Sequence, residues 1–416
     1  MQFKKELLKI LRLPKVKAVS KLLLVNFIVL LLFGFNGYDT DSLYLYQWGL
    51  KNNGNFLVGK EVLKSNFEPL YFDKGFNDNI FFDNDEVADF FKTMYVGMGV
   101  EFSNSAKGCD IVWEEGYNLF KENSFGRDVI VAIIDTGIDI SHFELSDNIW
   151  KNVNEIPGNG VDDDMNGYID DVNGYNFNGR NANVMPEVLT EAHGTHAAGI
   201  IAASHYNGGI KGIANDSHVK IMPLKVLDSK ENGYMSSVIE AINYAKINGA
   251  KICNISLGTY SYDSTIDYAI KNNPDMLFVV SAGNGMNFIG YSLDERDVYP
   301  AKLEYPNVIT VSNISFNGER YESANYGSYV DIFAPGTFIL STVPGNSFAY
   351  LTGTSMSSPF VSAVCAMIYS RYPNVPIYEI KNVIINGATP MTNLLGLSKN
   401  AGMLNVYNSL LLAGSY

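Results

Sequence analysis

Residues 129–137 read Val-Ile-Val-Ala-Ile-Ile-Asp-Thr-Gly, an unbroken apolar run that ends on a carboxylate and a glycine. A continuous run of β-branched and other apolar residues is typical of a strand buried on both faces, whereas a strand with one wet face alternates polar and apolar residues. The run therefore predicts a central strand of a parallel sheet, with Asp135 at the carboxyl end of that strand.

Similar apolar runs recur along the chain, and helical patterns separate several of them. Residues 236–248 and 377–386 have apolar residues at helical spacing, and Gly249 follows the first pattern as a stop signal. Strands that alternate with helices indicate an α/β fold with a doubly wound, mostly parallel sheet and helices on both faces. We see no internal repeat or linker, so a single domain is expected after the N-terminus. The further predicted strands are 219–227, 251–257, 276–282, 308–312 and 330–333.

The composition indicates a globular protein. Of its 416 residues, 47% are apolar and 18% are charged, which allows a large core. The net charge of -14 argues against nucleic acid as a partner and is compatible with bound cations; we expect a monomer. The 3 cysteines show no zinc spacing and no disulfide framework. Cys253 and Cys365 lie in apolar runs and are predicted to be buried, unreactive thiols.

Residues 1–36 have the pattern of a secretory signal. Several lysines and one arginine precede an apolar run over 22–35. The run is short for a membrane span, but no small-x-small cleavage site follows it, so an uncleaved membrane anchor through 22–35 is an alternative. Either interpretation predicts an extracellular protein, secreted or anchored to the outer face of the membrane.

Polar residues or glycine follow three of the predicted strands. They are Asp135, Ser256 with Gly258, and Asn284 after Gly283. Because parallel sheets place their sites at the carboxyl ends of strands, these residues are candidates for one cleft.

Two segments that begin predicted helices contain candidate reactive groups. His193-Gly-Thr-His196 precedes an Ala/Gly-rich run over 197–203, which places His193 at the cleft and His196 in packing. Ser355 begins a helix that extends to 371, where unpaired N–H groups and the helix dipole favour an anion. A lone serine there is more often an N-cap. The other histidines, at 142, 205 and 218, lie in loop-like surroundings and are predicted at the surface.

Three motifs in chain order resemble the signatures of the subtilisin-like serine proteases, the subtilases. They are Asp135-Thr-Gly, His193-Gly-Thr-His and Gly353-Thr-Ser-Met-Ser-Ser-Pro. The resemblance implies a serine endopeptidase in which Ser355 attacks, His193 acts as base and Asp135 orients it. It also implies that Asn284 binds the oxyanion, that 256–258 (Ser256, Leu257 and Gly258) bind an extended peptide substrate, and that Met235 lies at an apolar side pocket.

Residues 162–171 read Asp-Asp-Asp-Met-Asn-Gly-Tyr-Ile-Asp-Asp and match the first part of an EF-hand loop. Position 12 is Asn173 rather than glutamate. A solvated acidic turn is the alternative, but crowded carboxylates favour a structural calcium ion, and many subtilases are stabilised by calcium. The predicted ligands are Asp162, Asp164, Asn166, the backbone carbonyl of Tyr168, and Asp170.

The resemblance is incomplete at one place. Exported subtilases usually have a pro-domain before the catalytic domain, whereas here the segment around Gln47-Trp48, which resembles the start of that domain, follows the signal almost at once. We expect a peptidase domain over 40–416 with an insertion at about 55–108. The rival interpretation is a catalytically silent binding or scaffold protein on the same fold, which would be expected to lack one of the reacting groups.

Overall fold

The computed structural model describes residues 41, 43–44, 47–52, 54, 72–73, 79–80, 106–122, 125–189, 191–286 and 289–416. The predicted signal or anchor (1–36) and most of the predicted insertion (55–108) lie outside the described residues. Among the described helices, none has both the length and the apolar character needed to cross a bilayer.

A 9-stranded sheet forms the centre of the molecule, in the order β12-β13-β9-β8-β7-β6-β3-β5-β4. All its neighbours are parallel except β12 and β13, which pair antiparallel at one edge. Its strands are β3 (Val129–Asp135), β4 (Tyr175–Asn176), β5 (Val219–Lys225), β6 (Ile252–Ile255), β7 (Leu277–Ser281), β8 (Val308–Ile314), β9 (Ile332–Pro335), β12 (Thr389–Pro390) and β13 (Gly402–Met403). A separate two-stranded pair consists of β1 (Phe72–Asp73) and β2 (Asn79–Ile80).

Helices cover both faces of the sheet, as the sequence predicted. They are α1 (Trp113–Glu122), α2 (His193–Ala202), α3 (Met235–Ile247), α4 (Ser264–Lys271), α5 (Thr354–Arg371), α6 (Ile380–Gly387) and α7 (Val406–Ala413), and 3-10 turns occur at Ser146–Asn148, Ile377–Glu379 and Thr392–Leu394.

The apolar run of β3 contributes to two cores, because successive side chains of a strand point to opposite faces. Val131 and Ile133 pack in the core that contains α2 and α5. Ala132 and Ile134 pack in the core that contains α3 and α4. This explains why the run has no polar alternation: both faces of the strand are covered by a core, and only Ile130 is partly exposed.

The sequence analysis missed the supersecondary element that lies next to the candidate site. β10 (Ile339–Val343) and β11 (Ser347–Leu351) form an antiparallel hairpin that leads directly into α5. The hairpin is fastened to α2, because Ser341 Oγ donates to the carbonyl of His196 at 2.7 Å and Thr342 Oγ1 donates to that of Thr195 at 2.7 Å. It therefore fixes the starts of α2 and α5 relative to each other, and those starts carry the candidate base and nucleophile.

Candidate active site

Asp135 and His193 form a direct pair at the carboxyl edge of the sheet. His193 Nδ1 lies 2.8 Å from Asp135 Oδ1 and 2.9 Å from Oδ2. The aspartate side chain is 1% exposed and the imidazole 12% exposed. A buried carboxylate at this distance fixes the proton on Nδ1 and leaves Nε2 as the nitrogen that can accept a proton.

Thr136 joins the two segments that carry this pair. Its backbone N–H donates to Asp135 Oδ1 at 2.7 Å, which orients the carboxylate. Its Oγ1 accepts from the backbone N–H of Gly194 at 3.1 Å, the residue after His193. The motifs around Asp135 and His193 thus contact each other through backbone and hydroxyl groups as well as through the charged side chains.

Ser355 lies in the first turn of α5, as predicted, and is 6% exposed. Its Oγ donates to the carbonyl of Ser256 at 3.1 Å, and Ser256 Oγ donates in return to the carbonyl of Ser355 at 3.1 Å. The residue at the start of α5 is therefore tied to the end of β6. Pro359 lies inside this helix, beyond its first turn, and lacks the N–H that would donate to the carbonyl of Ser355; that carbonyl accepts from Ser256 Oγ instead.

Asn284 follows β7 and is 5% exposed. Its Oδ1 accepts from the backbone N–H of Thr354 at 3.1 Å, and Thr354 Oγ1 accepts from the N–H of Gly283 at 3.1 Å. With the amide oxygen held by Thr354, the Nδ2 group is the arm of Asn284 able to donate to a ligand. The sequence analysis did not single out Thr354, whose position next to Ser355 was its only signal.

One cleft contains all the predicted reacting and substrate-binding residues except Asp135, which is buried behind His193. The cleft has a volume of about 430 Å³ and is lined by His193, Ser256, Leu257, Gly258, Met235, Asn284 and Ser355. Tyr234, Val238 and Tyr260 also line it and were not predicted. These added residues increase the apolar and aromatic lining of the cleft.

The acidic loop at 162–171 forms a cluster that differs from the predicted ligand set. Oxygens of Glu155, Asp164 and Asp171 lie within 4.8 Å of one another. Asp162 instead accepts from the N–H groups of Asn166 at 3.0 Å and Gly167 at 2.8 Å. Asp170 likewise accepts from backbone, at Asn159 (3.0 Å) and Gly160 (3.1 Å).

Two other predicted ligands lie beside this cluster. Asn166 Nδ2 donates to Asp171 Oδ2 at 2.9 Å, which places its amide next to the carboxylates. The ring of Tyr168 packs edge-on against Tyr244, 4.9 Å between centroids, and the hydroxyl of Tyr244 donates to Asp171. The sequence analysis did not predict Glu155 and Asp171 as ligands, because Glu155 precedes the loop and Asp171 is not at a ligand position of the EF-hand pattern.

The electrostatics of the cluster suit a cation. Burial raises the pKa of the Asp171 carboxyl, and the neighbouring charge of Asp164 raises it further. A divalent cation would reverse both effects, because it stabilises the charged form of each carboxylate. The oxygen-only donor set is the one that calcium prefers.

The remaining histidines and the cysteines occupy structural positions. His142 is fully buried, with Nε2 3.1 Å from the carbonyl of Ser347, so its predicted surface location was wrong. His196 is also buried, as expected, and burial lowers its pKa to about 3. Burial raises the pKa of the Cys253 and Cys365 thiols, which keeps them protonated and unreactive.

Comparison with known proteins identifies relatives of this chain. The model of the subtilase family matches residues 126–406. Subtilisin DY from Bacillus licheniformis is 31% identical over 301 residues, which cover 72% of this chain and 94% of that protein. A thermophilic serine proteinase from Bacillus sp. (strain AK1) is 30% identical over 314 residues, or 75% of this chain and 67% of that protein.

A further relative and a solved structure extend the likeness. Subtilisin-like protease 1 of Plasmodium vivax is 32% identical over 335 residues, or 75% of this chain and 52% of that protein. The crystal structure of a cold adapted subtilisin-like serine proteinase matches with a TM-score of 0.54 at 24% identity, covering 68% of this chain and 90% of that chain. This last likeness concerns the fold alone. The chain therefore belongs to the subtilase family and is a serine endopeptidase with the α/β fold of that family.

Proposed function

We propose that Asp135, His193 and Ser355 act as the catalytic triad and that peptide bonds are cleaved through an acyl-enzyme. The observation that carries this assignment is the cleft in which the Asp135-bound imidazole, Ser355 and Asn284 all lie. Nucleophile, base, orienting carboxylate and amide donor are the groups that acyl transfer requires.

In the proposed reaction, Ser355 Oγ attacks the scissile carbonyl carbon and its proton passes to His193 Nε2. Asp135 holds the Nδ1–H and stabilises the imidazolium. Asn284 Nδ2 and the backbone N–H of Ser355 donate to the oxyanion. The imidazolium then protonates the leaving amine, and a water molecule, deprotonated by the same histidine, releases the acyl group. For the first step the hydroxyl must exchange its present acceptor, the carbonyl of Ser256, for His193.

The substrate in this proposal is an extended peptide or protein segment. It would pair with the backbone of 256–258 by strand addition. Met235, Val238 and Tyr260 line the same cleft and favour an apolar side chain on the acyl side of the bond. Cleavage of a peptide library tests this substrate preference. Enrichment of acidic residues on the acyl side of the cleaved bonds would contradict it.

A fluorophosphonate probe tests the triad directly. We expect covalent labelling at Ser355 in the folded protein, identified by peptide mass, and none in Ser355→Ala or after heat denaturation. A folded wild-type protein without label would contradict the triad and favour a catalytically silent role.

We further propose a structural calcium site at the loop, held by Glu155, Asp164 and Asp171, with Asn166 adjacent. Carboxylate oxygens within 4.8 Å of one another, two of them on buried side chains, support it. Calcium would neutralise these charges and fix residues 155–171 to β4 and α3. The predicted carboxylate ligands Asp162 and Asp170 would join only after the loop rearranges, because their oxygens accept from backbone N–H groups.

We also propose that the protein is exported by the signal or anchor at 1–36 and that 40–416 forms the peptidase domain. The lysine-rich start and the apolar run at 22–35 support export. Fractionation of cells that make the full chain, with N-terminal sequencing of the mature form, distinguishes a removed signal from an anchor.

A further inference from the structure

A buried ion pair lies behind the Asp135–His193 couple. Lys225 Nζ is 2.8 Å from Glu191 Oε1, and each side chain is only 1% exposed. Neither residue is among those that line the cleft in the described part of the chain. We propose that Lys225 and Glu191 are positioning residues, which keep the Asp135 carboxylate and the His193 imidazole at the distance and orientation that catalysis requires. This inference rests on the proposed triad.

Lys225 is placed to act on Asp135. It is the last residue of β5 and stands opposite Asp135, the last residue of β3, in the parallel ladder. Its Nζ donates to the carbonyl of Thr136 at 2.5 Å. Its aliphatic stem runs so close to Gly137 that a Cβ added there would lie 3.2 Å from Lys225 Cδ. Lys225 therefore contacts both residues of the turn that immediately follows Asp135, Thr136 by a hydrogen bond and Gly137 by packing.

Glu191 is placed to act on His193, which lies two residues further along the chain. Its second carboxylate oxygen accepts from the backbone N–H of Glu187, and its own N–H donates to the carbonyl of Val188 at 3.0 Å. The glutamate is thus fixed in the loop that leads into α2. The ammonium of Lys225 contacts both Glu191 and the carbonyl of Thr136. It therefore connects the loop before His193 to the turn after Asp135.

The pair also explains how a lysine can be tolerated at this place. A buried ammonium without a counter-ion would offset the negative charge of Asp135 and weaken the attraction between that carboxylate and the imidazole. Glu191, at 2.8 Å from Lys225 Nζ, neutralises the ammonium and prevents this. Asp135 then remains the net charge that acts on His193 from this side.

The test uses full-length Lys225→Met, Glu191→Gln and the double variant, assayed well below their melting temperatures. We expect Lys225→Met to lower kcat and the rate of Ser355 labelling by a fluorophosphonate about 10–100-fold, with KM changed less than about threefold. Glu191→Gln, which keeps an acceptor and the shape, should lose about 3–10-fold. The double variant should be no slower than Lys225→Met, since both substitutions break one interaction.

Asp216→Asn is the matched control. Asp216 forms the buried pair with Arg371 (2.6 Å) next to the start of β5, at the end of the strand remote from Lys225. The Asp216→Asn substitution should lower the melting temperature, while kcat and the rate of Ser355 labelling stay within about twofold of wild type. The positioning role is overturned if folded Lys225→Met has wild-type rates, or if its loss of rate is no larger than that of Asp216→Asn. If Lys225→Met does not fold, wild-type rates in Glu191→Gln overturn the role instead. A wild-type protein that is not labelled at Ser355 refutes the triad instead.

Discussion

His193 Nδ1 faces both carboxylate oxygens of Asp135, at 2.8 Å from Oδ1 and 2.9 Å from Oδ2. A strand tip and a helix start, 58 residues apart in sequence, meet in this contact. The contact holds Nδ1 against the carboxylate, so Nε2 is the nitrogen left to accept a proton, and His193 and Ser355 line the same cleft.

Replacing Asp135 with asparagine should disable this arrangement while leaving the fold intact. The amide can donate to Nδ1, which favours the wrong tautomer, so kcat should fall about 10⁴-fold. Peptide hydrolysis by purified protein provides the measurement. Asp139→Asn is the control, because Asp139 is also buried but accepts from Ser141 and Gly345. A kcat in Asp135→Asn within tenfold of wild type would argue against the orienting role.

Asn284→Ala should lower kcat about 10²–10³-fold and leave KM nearly unchanged. The side-chain amide is proposed to bind charge that develops only in the transition state, so its loss affects kcat selectively. Asn232, which also lines the cleft, serves as the control, and Asn232→Ala should stay within a few-fold. An equal rise in KM with constant kcat would instead indicate a role in ground-state binding.

Removal of the calcium ion proposed for the cluster of Glu155, Asp164 and Asp171 should destabilise the protein. Ligand binding to the folded state contributes about 2.7 kcal/mol when free ligand is 100-fold above Kd, so a chelator should lower the melting temperature by several degrees. Thermal unfolding in the Ser355→Ala background avoids autolysis, and added calcium rather than magnesium should restore stability.

The structure distinguishes between the possible ligands of that ion. Asp164→Asn should reduce the chelator effect by more than half, because Asp164 belongs to the carboxylate cluster. Asp162→Asn should largely retain it, since both Asp162 oxygens accept backbone N–H groups. The opposite ranking would restore the EF-hand order of ligands expected from the sequence.

His196 should make stability depend on pH. Burial lowers its pKa to about 3, against 6.5 for a free imidazole, so the unfolded state binds more protons between these pH values. Its contribution is complete above pH 6.5 and is lost as the pH falls towards 3. His196→Gln should therefore reduce the slope of unfolding free energy against pH by about 1.4 kcal/mol per unit in that window.

Urea unfolding from pH 4.5 to 8 in the Ser355→Ala background measures this slope. His205→Gln is the control, since that imidazole is only partly buried. A slope that is the same with and without His196 would show that the buried ring does not determine the acid sensitivity of the fold.

Local patterns determined much of this protein. The apolar run at 129–134 was sufficient to predict a central parallel strand, because a strand that contacts two cores cannot alternate. The motifs around Asp135, His193 and Ser355 indicated the family, since each lies at a strand end or helix start whose local sequence is restrictive. The bounds of α3 and α5 also followed closely from periodicity, with Gly249 as the stop signal after α3.

Only the tertiary structure decided which distant groups meet. The hairpin β10–β11, the Lys225–Glu191 pair and the cluster of Glu155, Asp164 and Asp171 all depend on contacts between segments that no local pattern connects. The physical reason is that periodicity encodes which face of an element is buried, whereas a hydrogen bond or ion pair across elements depends on distances of a few ångströms set by packing. His142 illustrates the limit: its loop-like sequence predicted exposure, but the hairpin covers it and accepts its hydrogen bond at the carbonyl of Ser347.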